Sequence, residues 1–302
     1  MKLSMESVLS GLGRGWKNMH WACGLEDCHT KRFLRSVPQS RVGIRMGETW
    51  YCSVDCFVKM TRHRFSALAR VTNLDMPHTP RVSIAAVMLS KGYLTEEDLH
   101  SAQIQSRMNG EDLEAALVRL GLVDEWHLAS ARAIQWGYPV LGRDRISQSV
   151  DANLPFTLMR AFSAVPLHYS KSSKRILMGF VYKVEHSLLH SLEQMTGCRV
   201  EACFITPTEL NYQMERLELG LENREIVLED SMTAAEKANT VGGFALEIRA
   251  RDVNVSRCKD YVWMRLSGRH RSVDVLFRGK RAIAVRGCDD FDASAEGIRA
   301  VG

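Results

Sequence analysis

Four cysteines, Cys23, Cys28, Cys52 and Cys56, fall into two close pairs. The spacing is C-x4-C, a gap of 23 residues, then C-x3-C. Two cysteines a few residues apart supply two thiolate ligands from one turn, and two such pairs complete the tetrahedron that zinc prefers. Four protein ligands leave no position for water, so the expected cofactor is a structural Zn2+ and not a catalytic one. A module this small would depend on the metal to fold. The competing reading is four reduced core thiols; the pairing of the cysteines beside turns favours the metal. His29 follows Cys28 directly and His20 lies upstream, and either is chemically able to replace a cysteine. Eight cysteines in 302 residues do not form a disulfide scaffold.

Something must bring the two pairs together. The intervening segment contains Val42 to Met46 and Glu48 to Tyr51 on either side of Gly47, which reads as a hairpin. Cys52 would then end a strand, and Cys56 would lie in the first turn of a helix from Asp55 to Phe65. The second half, Tyr51-Cys52-Ser53 followed by Cys56, resembles treble-clef zinc modules over this segment. Residues 1–80 hold 12 of the 40 Lys/Arg and 6 of the 35 Asp/Glu, so the net charge of +5 is concentrated here. Lys31, Arg32, Arg35, Arg41 and Arg45 cluster between the cysteine pairs, and such residues can meet phosphates. No tandem fingers or recognition-helix pattern accompanies them. Protein binding is the leading role for this module, with nucleic-acid binding through residues 1–75 kept as an alternative.

The next stretch is a tandem repeat. Ser83 to Ser106 and Asp112 to Gln135 superpose with an offset of 29 residues. Ala86/Ala115, Gly92/Gly121, Glu96/Glu125, Leu99/Leu128, Ser101/Ser130 and Ala102/Ala131 are identical pairs. Each copy reads as two helices broken at the glycine, which suits the left-handed position after a helix end. Thr95 and Asp124 stand as N-caps of the second helices. Beyond the repeat the chain alternates between periods: an extended Tyr138 to Leu141, a short helix from Asn153 to Phe162, strands at Ala164 to Tyr169 and Arg175 to Val181, a helix from His186 to Thr196, a strand from Cys198 to Ile205, and a last helix from Glu209.

This order, with Gly137-Tyr138-Pro139, Val165-Pro166-Leu167, Ile176 to Gly179, Met195-Thr196-Gly197 and Thr206 to Glu209 in place, resembles the N-terminal domain of the bacterial type II secretion and type IV pilus assembly ATPases. The resemblance covers residues 81–220. It implies a helical repeat joined to a small α/β sandwich, and a partner in a secretion, pilus or signalling system. Some members bind cyclic di-GMP on the repeat, through an opening Arg, a following Gly and a closing Gln. Here Ser83 and Asp112 occupy the Arg positions, Ala85 and Glu114 the Gly positions, and Ser106 one Gln position. Arg81, Gly92, Gly121 and Gln135 are what remains for a nucleotide. Asp112 and Glu114 put negative charge where phosphate would sit, so electrostatics oppose that ligand.

From Glu209 to Lys237 the chain is strongly charged and reads as a helix running into a linker. A helix ending near Arg251 and alternating strands at Val253 to Val255, Tyr261 to Leu266 and Val273 to Phe277 follow. Arg251 to Val255 weakly resembles the segment that precedes the catalytic core in the same ATPases. No G-x4-G-K-[ST] phosphate loop occurs in the sequence.

The expected fold class is α+β: a small zinc-binding module, a helical tandem repeat joined to a small α/β sandwich, and a short α+β tail. The expected segments are 1–75 (zinc module), 81–220 (ATPase N-terminal-like), 221–240 (linker), 241–285 (α+β) and 286–302 (tail). The expected function is a non-enzymatic, cytoplasmic adaptor or regulator that binds a protein, without membrane insertion. A cyclic di-GMP sensor and a nucleic-acid-binding regulator remain the alternatives.

Overall fold

The computed structural model describes residues 20–33, 43–68, 82–142, 152–219, 224–229 and 231–279, with residues 80, 144, 146 and 150. Arg35, Arg41, Arg81 and the expected tail at 286–302 lie outside the described residues. The chain mixes helix and strand throughout, as an α+β protein does.

The N-terminal part begins with a two-stranded ribbon, β1 (His20–Ala22) with β2 (Lys31–Phe33). The expected hairpin follows as β3 (Ile44–Met46) and β4 (Thr49–Tyr51), with Gly47 at its turn in the left-handed region. Helix α1 then runs from Val54 to Leu68. Gly43 enters the hairpin at φ +119°, and a Cβ there would stand 2.5 Å from the Tyr51 carbonyl oxygen, so only glycine fits.

The repeat forms four helices: α2 (Ile84–Ser90), α3 (Glu96–Asn109), α4 (Leu113–Arg119) and α5 (Glu125–Trp136). The two copies bury one shared core around Met88, Leu94, Ala102, Leu117, Val123, Leu128 and Ala131. That is the reason for duplication: neither helix pair can bury its apolar face alone. A three-stranded sheet follows, with β5 (Ala164–Ser170) antiparallel to β6 (Arg175–Phe180) and β6 parallel to β7 (Arg199–Phe204). The extended Pro139 to Leu141 segment lies along β7, where Phe204 N donates to the Pro139 carbonyl at 2.8 Å and Leu141 N to that of Phe204 at 2.9 Å. Helices α6 (Phe156–Ala161), α7 (His186–Thr196) and α8 (Pro207–Leu219) complete this region.

The C-terminal part differs from the sequence reading. Residues expected to be a linker form strand β8 (Arg224–Glu229) and the first half of helix α9 (Ala234–Glu247). The charges of β8 conceal a strand: Ile226 and Leu228 face the core while Glu225, Val227 and Glu229 point away from it. The antiparallel strands β9 (Asp252–Cys258), β10 (Tyr261–Ser267) and β11 (Ser272–Arg278) agree with expectation. The sheet does not stop there. Its order is β4-β3-β9-β10-β11-β8, so the N-terminal hairpin is its far edge. Arg45 N donates to the Arg251 carbonyl at 2.7 Å, and the Arg45 guanidinium pairs with Asp252 at 2.7 Å.

One face of this sheet, with Val253, Met264, Leu266, Val275 and Phe277, packs on α1 and α9. The other face, with Cys258, Tyr261, Trp263 and Leu276, joins the core of α7 and the three-stranded sheet. The contact is tied by polar bonds. Ser191 Oγ donates to the Arg257 carbonyl at 2.8 Å, and Glu225 accepts from Phe156 N at 2.8 Å and Thr157 N at 3.0 Å. Asp274, 1% exposed, accepts from Trp263 Nε1 and Arg265 Nε, both at 2.8 Å.

Helices α1 and α9 approach closely at Gly242, where a Cβ would stand 2.4 Å from Val58 Cγ2. Val58 is β-branched on a helix and cannot swing aside. Gly242→Leu should therefore cost about 1–3 kcal/mol by overpacking. Gly243→Ala, whose Cβ meets no atom within 4 Å, should be neutral or stabilise by up to ~1 kcal/mol. Urea unfolding of the two full-length variants checks the contrast, and equal stabilities would contradict the packing of α1 on α9.

Candidate metal centre

The structure gathers Cys23, Cys28, Cys52 and Cys56. Their four sulfurs all lie within 4.8 Å of one another. Cys52 Sγ stands 3.6 Å from Cys28 Sγ and 3.6 Å from Cys56 Sγ. A disulfide would need about 2.05 Å, and the seven described cysteines are all free thiols. A zinc tetrahedron with Zn–S of about 2.3 Å has edges of about 3.8 Å. The cluster therefore has the donor type, number and spacing that could hold such an ion.

Each sulfur is placed by local backbone chemistry. Cys23 leaves β1 and its N–H donates to the Thr30 carbonyl at 3.0 Å, closing the loop between the first pair. Within that loop Cys28 N donates to the Leu25 carbonyl at 2.9 Å, a tight turn that brings Cys28 back toward Cys23. Gly24 N donates to the Trp50 carbonyl at 2.9 Å and fastens the loop to β4. On the other side Cys52 follows β4 directly, and the Ser53 hydroxyl accepts from Cys56 N at 3.2 Å at the start of α1. That serine works as a helix cap, a role legible in its position between a strand and a helix. Cys23 and Cys56 also pack against the core shared with β9 to β11 and α9.

The environments of the thiols are unequal. Hydrogen bonds with the Thr30 side chain and backbone, then with Cys52, pull Cys28 down to about 6, toward the thiolate a metal requires. Cys56 is drawn down by its bond to Ser53, but burial and the neighbouring thiols outweigh it and push the group up to about 12. Crowded thiols of this kind hold their protons against one another. A cation among them reverses that order, because it favours every deprotonated form at once.

His29 is exposed and does not belong to the cluster. Among the basic residues between the cysteine pairs, Arg45 is committed to Asp252, and Lys31 is exposed on β2.

The other candidate surface is the repeat, and there the structure gives the substituted positions different work. Ser83 caps α2 by accepting from Ala86 N, and Asp112 caps α4 by accepting from Glu114 N. Glu114 forms an ion pair with Arg132, whose side chain also donates to the Val181 carbonyl at 2.9 Å and covers the Tyr182 ring at 5.2 Å. Gln135 Nε2 donates to the Val82 carbonyl at 2.7 Å. Gly92 and Gly121 occupy the left-handed turns after α2 and α4 at φ +67° and +68°, which is a backbone role. The Glu114–Arg132 pair was not read from the sequence, because its 18-residue separation carries no local periodicity.

No protein-family model matches the chain. Over 142 residues it is 29% identical to the type IV pilus assembly ATPase PilB of Thermus thermophilus, a match that covers 46% of this chain and 16% of that protein. The chain thus spans a small share of its curated relative. Two solved structures are similar: MshE with cdg (20% identity, 45% of this chain, 99% of that one, TM-score 0.37) and the N-terminal domain of XpsE (22% identity, 44% and 92%, TM-score 0.34). Likeness at those scores carries no argument about ligands. The relation to secretion and pilus ATPases, read first from the sequence, is supported for part of the chain by the match to PilB. Among the described residues no helix is long and apolar enough to cross a membrane.

Arg132 is 3% exposed, so Glu114 is what balances a buried charge. Glu114→Ala should destabilise the full chain by about 2–3 kcal/mol, because the guanidinium stays buried without its carboxylate. Adding Arg132→Met should recover most of that loss. A double variant no more stable than Glu114→Ala would show that the pair is not coupled.

Proposed function

We propose that the four cysteines hold a structural zinc ion, and that the chain is a non-enzymatic adaptor or regulator that binds a protein of a secretion or pilus system through residues 81–220. The observation that supports the reading is the similarity of 142 residues of the chain to a pilus assembly ATPase, over 16% of that protein's length. For the metal the support is the four-sulfur cluster, with its 3.6 Å neighbours. Zinc there would be fully ligated by protein, so it supplies cross-linking and no open position for chemistry. The described residues of 20–68 and 231–279, which share one sheet, act in this proposal as one stapled unit.

Cyclic di-GMP is the runner-up ligand, because the family that the repeat resembles includes members that bind it there. Several features weigh against it. Ser83 and Asp112 cap helices, Glu114 is paired with Arg132, and the Gln135 amide is bonded to backbone. Binding would require giving up those contacts and bringing phosphates beside two carboxylates.

Three measurements on the full chain test these statements. Elemental analysis of purified protein should give one zinc per chain, and Cys52→Ser should remove it and lower the melting temperature. Wild type without metal but with an unchanged melting temperature would defeat the structural-zinc reading. Titration calorimetry with cyclic di-GMP should show no heat of binding, whereas saturable binding abolished by Gln135→Ala would replace the adaptor reading with the sensor. Two-hybrid screening against secretion and pilus components should return a partner whose binding is lost when the exposed Ile104 and Met108 of α3 are changed to Asp. No partner among those components would leave the adaptor role without support.

A further inference from the structure

One end of the six-stranded sheet, the end at which β8, β9 and β11 begin, collects positive charge without ion-pair partners among the described residues. Register places the start of β8, the start of β9, the end of β10 and the start of β11 at one pole, because Val273 pairs with Arg224 and Ser267 pairs with both Asp252 and Ser272. The C-terminal end of α9 reaches the same pole, with Ile248 O near Gly268. A cavity of about 600 Å³ opens there, lined by Arg224, Glu247, Gly268, Arg269, His270 and Arg271 with their neighbours. Arg249 and Arg251 flank it in sequence.

The charges do not cancel. Arg224 is paired with Glu247 at 2.6 Å, and Asp252 is taken by Arg45. Among the described residues Arg249, Arg251, Arg269 and Arg271 have no ion-pair partner. Helix α9 ends here and offers about half a negative charge at its C-terminus, which is too little to explain four guanidinium groups. The hairpin turn Gly268 to Arg271 is held by Gly268 N donating to the Arg271 carbonyl at 2.8 Å, so the two arginines that flank His270 project from a fixed turn. Guanidinium groups match phosphate oxygens in a bidentate fashion. Among the described residues no Phe, Tyr or Trp lines the cavity and His270 is its one ring, so contacts to phosphate outweigh base stacking there.

We propose that this cavity binds a small polyanion with a chain of phosphate groups, either free or as part of a nucleotide, through Arg269 and Arg271. The proposal does not rest on the zinc or adaptor readings.

Titration calorimetry of the full chain with inorganic tripolyphosphate tests it, with a nucleoside triphosphate and sulfate as parallel arms. Tripolyphosphate and the nucleoside triphosphate should bind with similar affinity, and sulfate should bind far more weakly. Arg269→Ala and Arg271→Ala should each weaken binding about tenfold, the order expected for losing a hydrogen bond to a charged group. Both side chains are exposed, so the variants should keep the wild-type circular dichroism and melting temperature. Arg175→Ala, on the three-stranded sheet, should change nothing. Absence of tripolyphosphate binding, equal binding by the double variant, or sulfate binding as tightly as tripolyphosphate would each overturn the proposal. A nucleoside triphosphate that binds far more tightly than tripolyphosphate would overturn the phosphate-chain assignment in favour of base recognition.

Discussion

The central sheet has two apolar faces, and covering both is the constraint that shapes this molecule. Strands β9, β10 and β11 put Val253, Met264, Leu266, Val275 and Phe277 on one side, and Cys258, Tyr261, Trp263 and Leu276 on the other. An antiparallel sheet with one wet face would need polar residues on alternate positions. β9 keeps such an alternation through Asp252, Asn254 and Ser256, but β10 and β11 are apolar on both faces apart from Arg265 and Asp274, which satisfy one another. One face is therefore closed by α1 and α9 and the other by α7 and its surroundings. The price of the arrangement is that segments at opposite ends of the chain must meet.

That requirement gives the cysteine cluster its structural meaning. The hairpin β3–β4 is three residues deep on each strand, too short to be stable as an isolated pair. Three things hold it: pairing with β9, the core beneath it, and the cysteine cluster at its base. Cys52 directly follows β4 and Cys56 lies in the first turn of α1, so a cross-link among the four sulfurs would fasten the edge strand and the covering helix in one step. The Arg45–Asp252 pair adds little by itself, since both groups are substantially exposed. Closely packed carbon and a fixed turn matter more.

The repeat shows how one scaffold carries different chemistry. Its helices, glycine turns and shared core need only the apolar positions and the left-handed glycines. The polar positions are free to change. In this chain Ser83 and Asp112 satisfy backbone donors at helix starts, and Glu114 turns toward Arg132. Substitutions that read from the sequence as losses of a ligand surface thus have local structural work, which gives each of them a physical reason to stay.

Much of this was legible in the amino-acid order, because it depends on local periodicity. The repeat, the glycine turns, the β3–β4 hairpin, α7 and the β9 to β11 meander follow from residues close in sequence, and so does the pairing of the cysteines. Strand β8 was hidden: its Arg224, Glu225 and Glu229 continue the charge pattern of α8, and its parallel neighbour β11 gives it a reason to extend. The start of α9 was hidden for the same reason, until Thr233 and Glu236 are seen to close a capping box. Sequence by itself determined which local elements exist and which residues have metal-binding chemistry. Tertiary structure alone decided that the first and last parts of the chain share one sheet, and that Arg224, Arg269 and Arg271 border one cavity at its end. Strand pairing across some 200 residues (Arg45 with Asp252) leaves no periodic trace in the chain; it is set by the need to bury two faces at once.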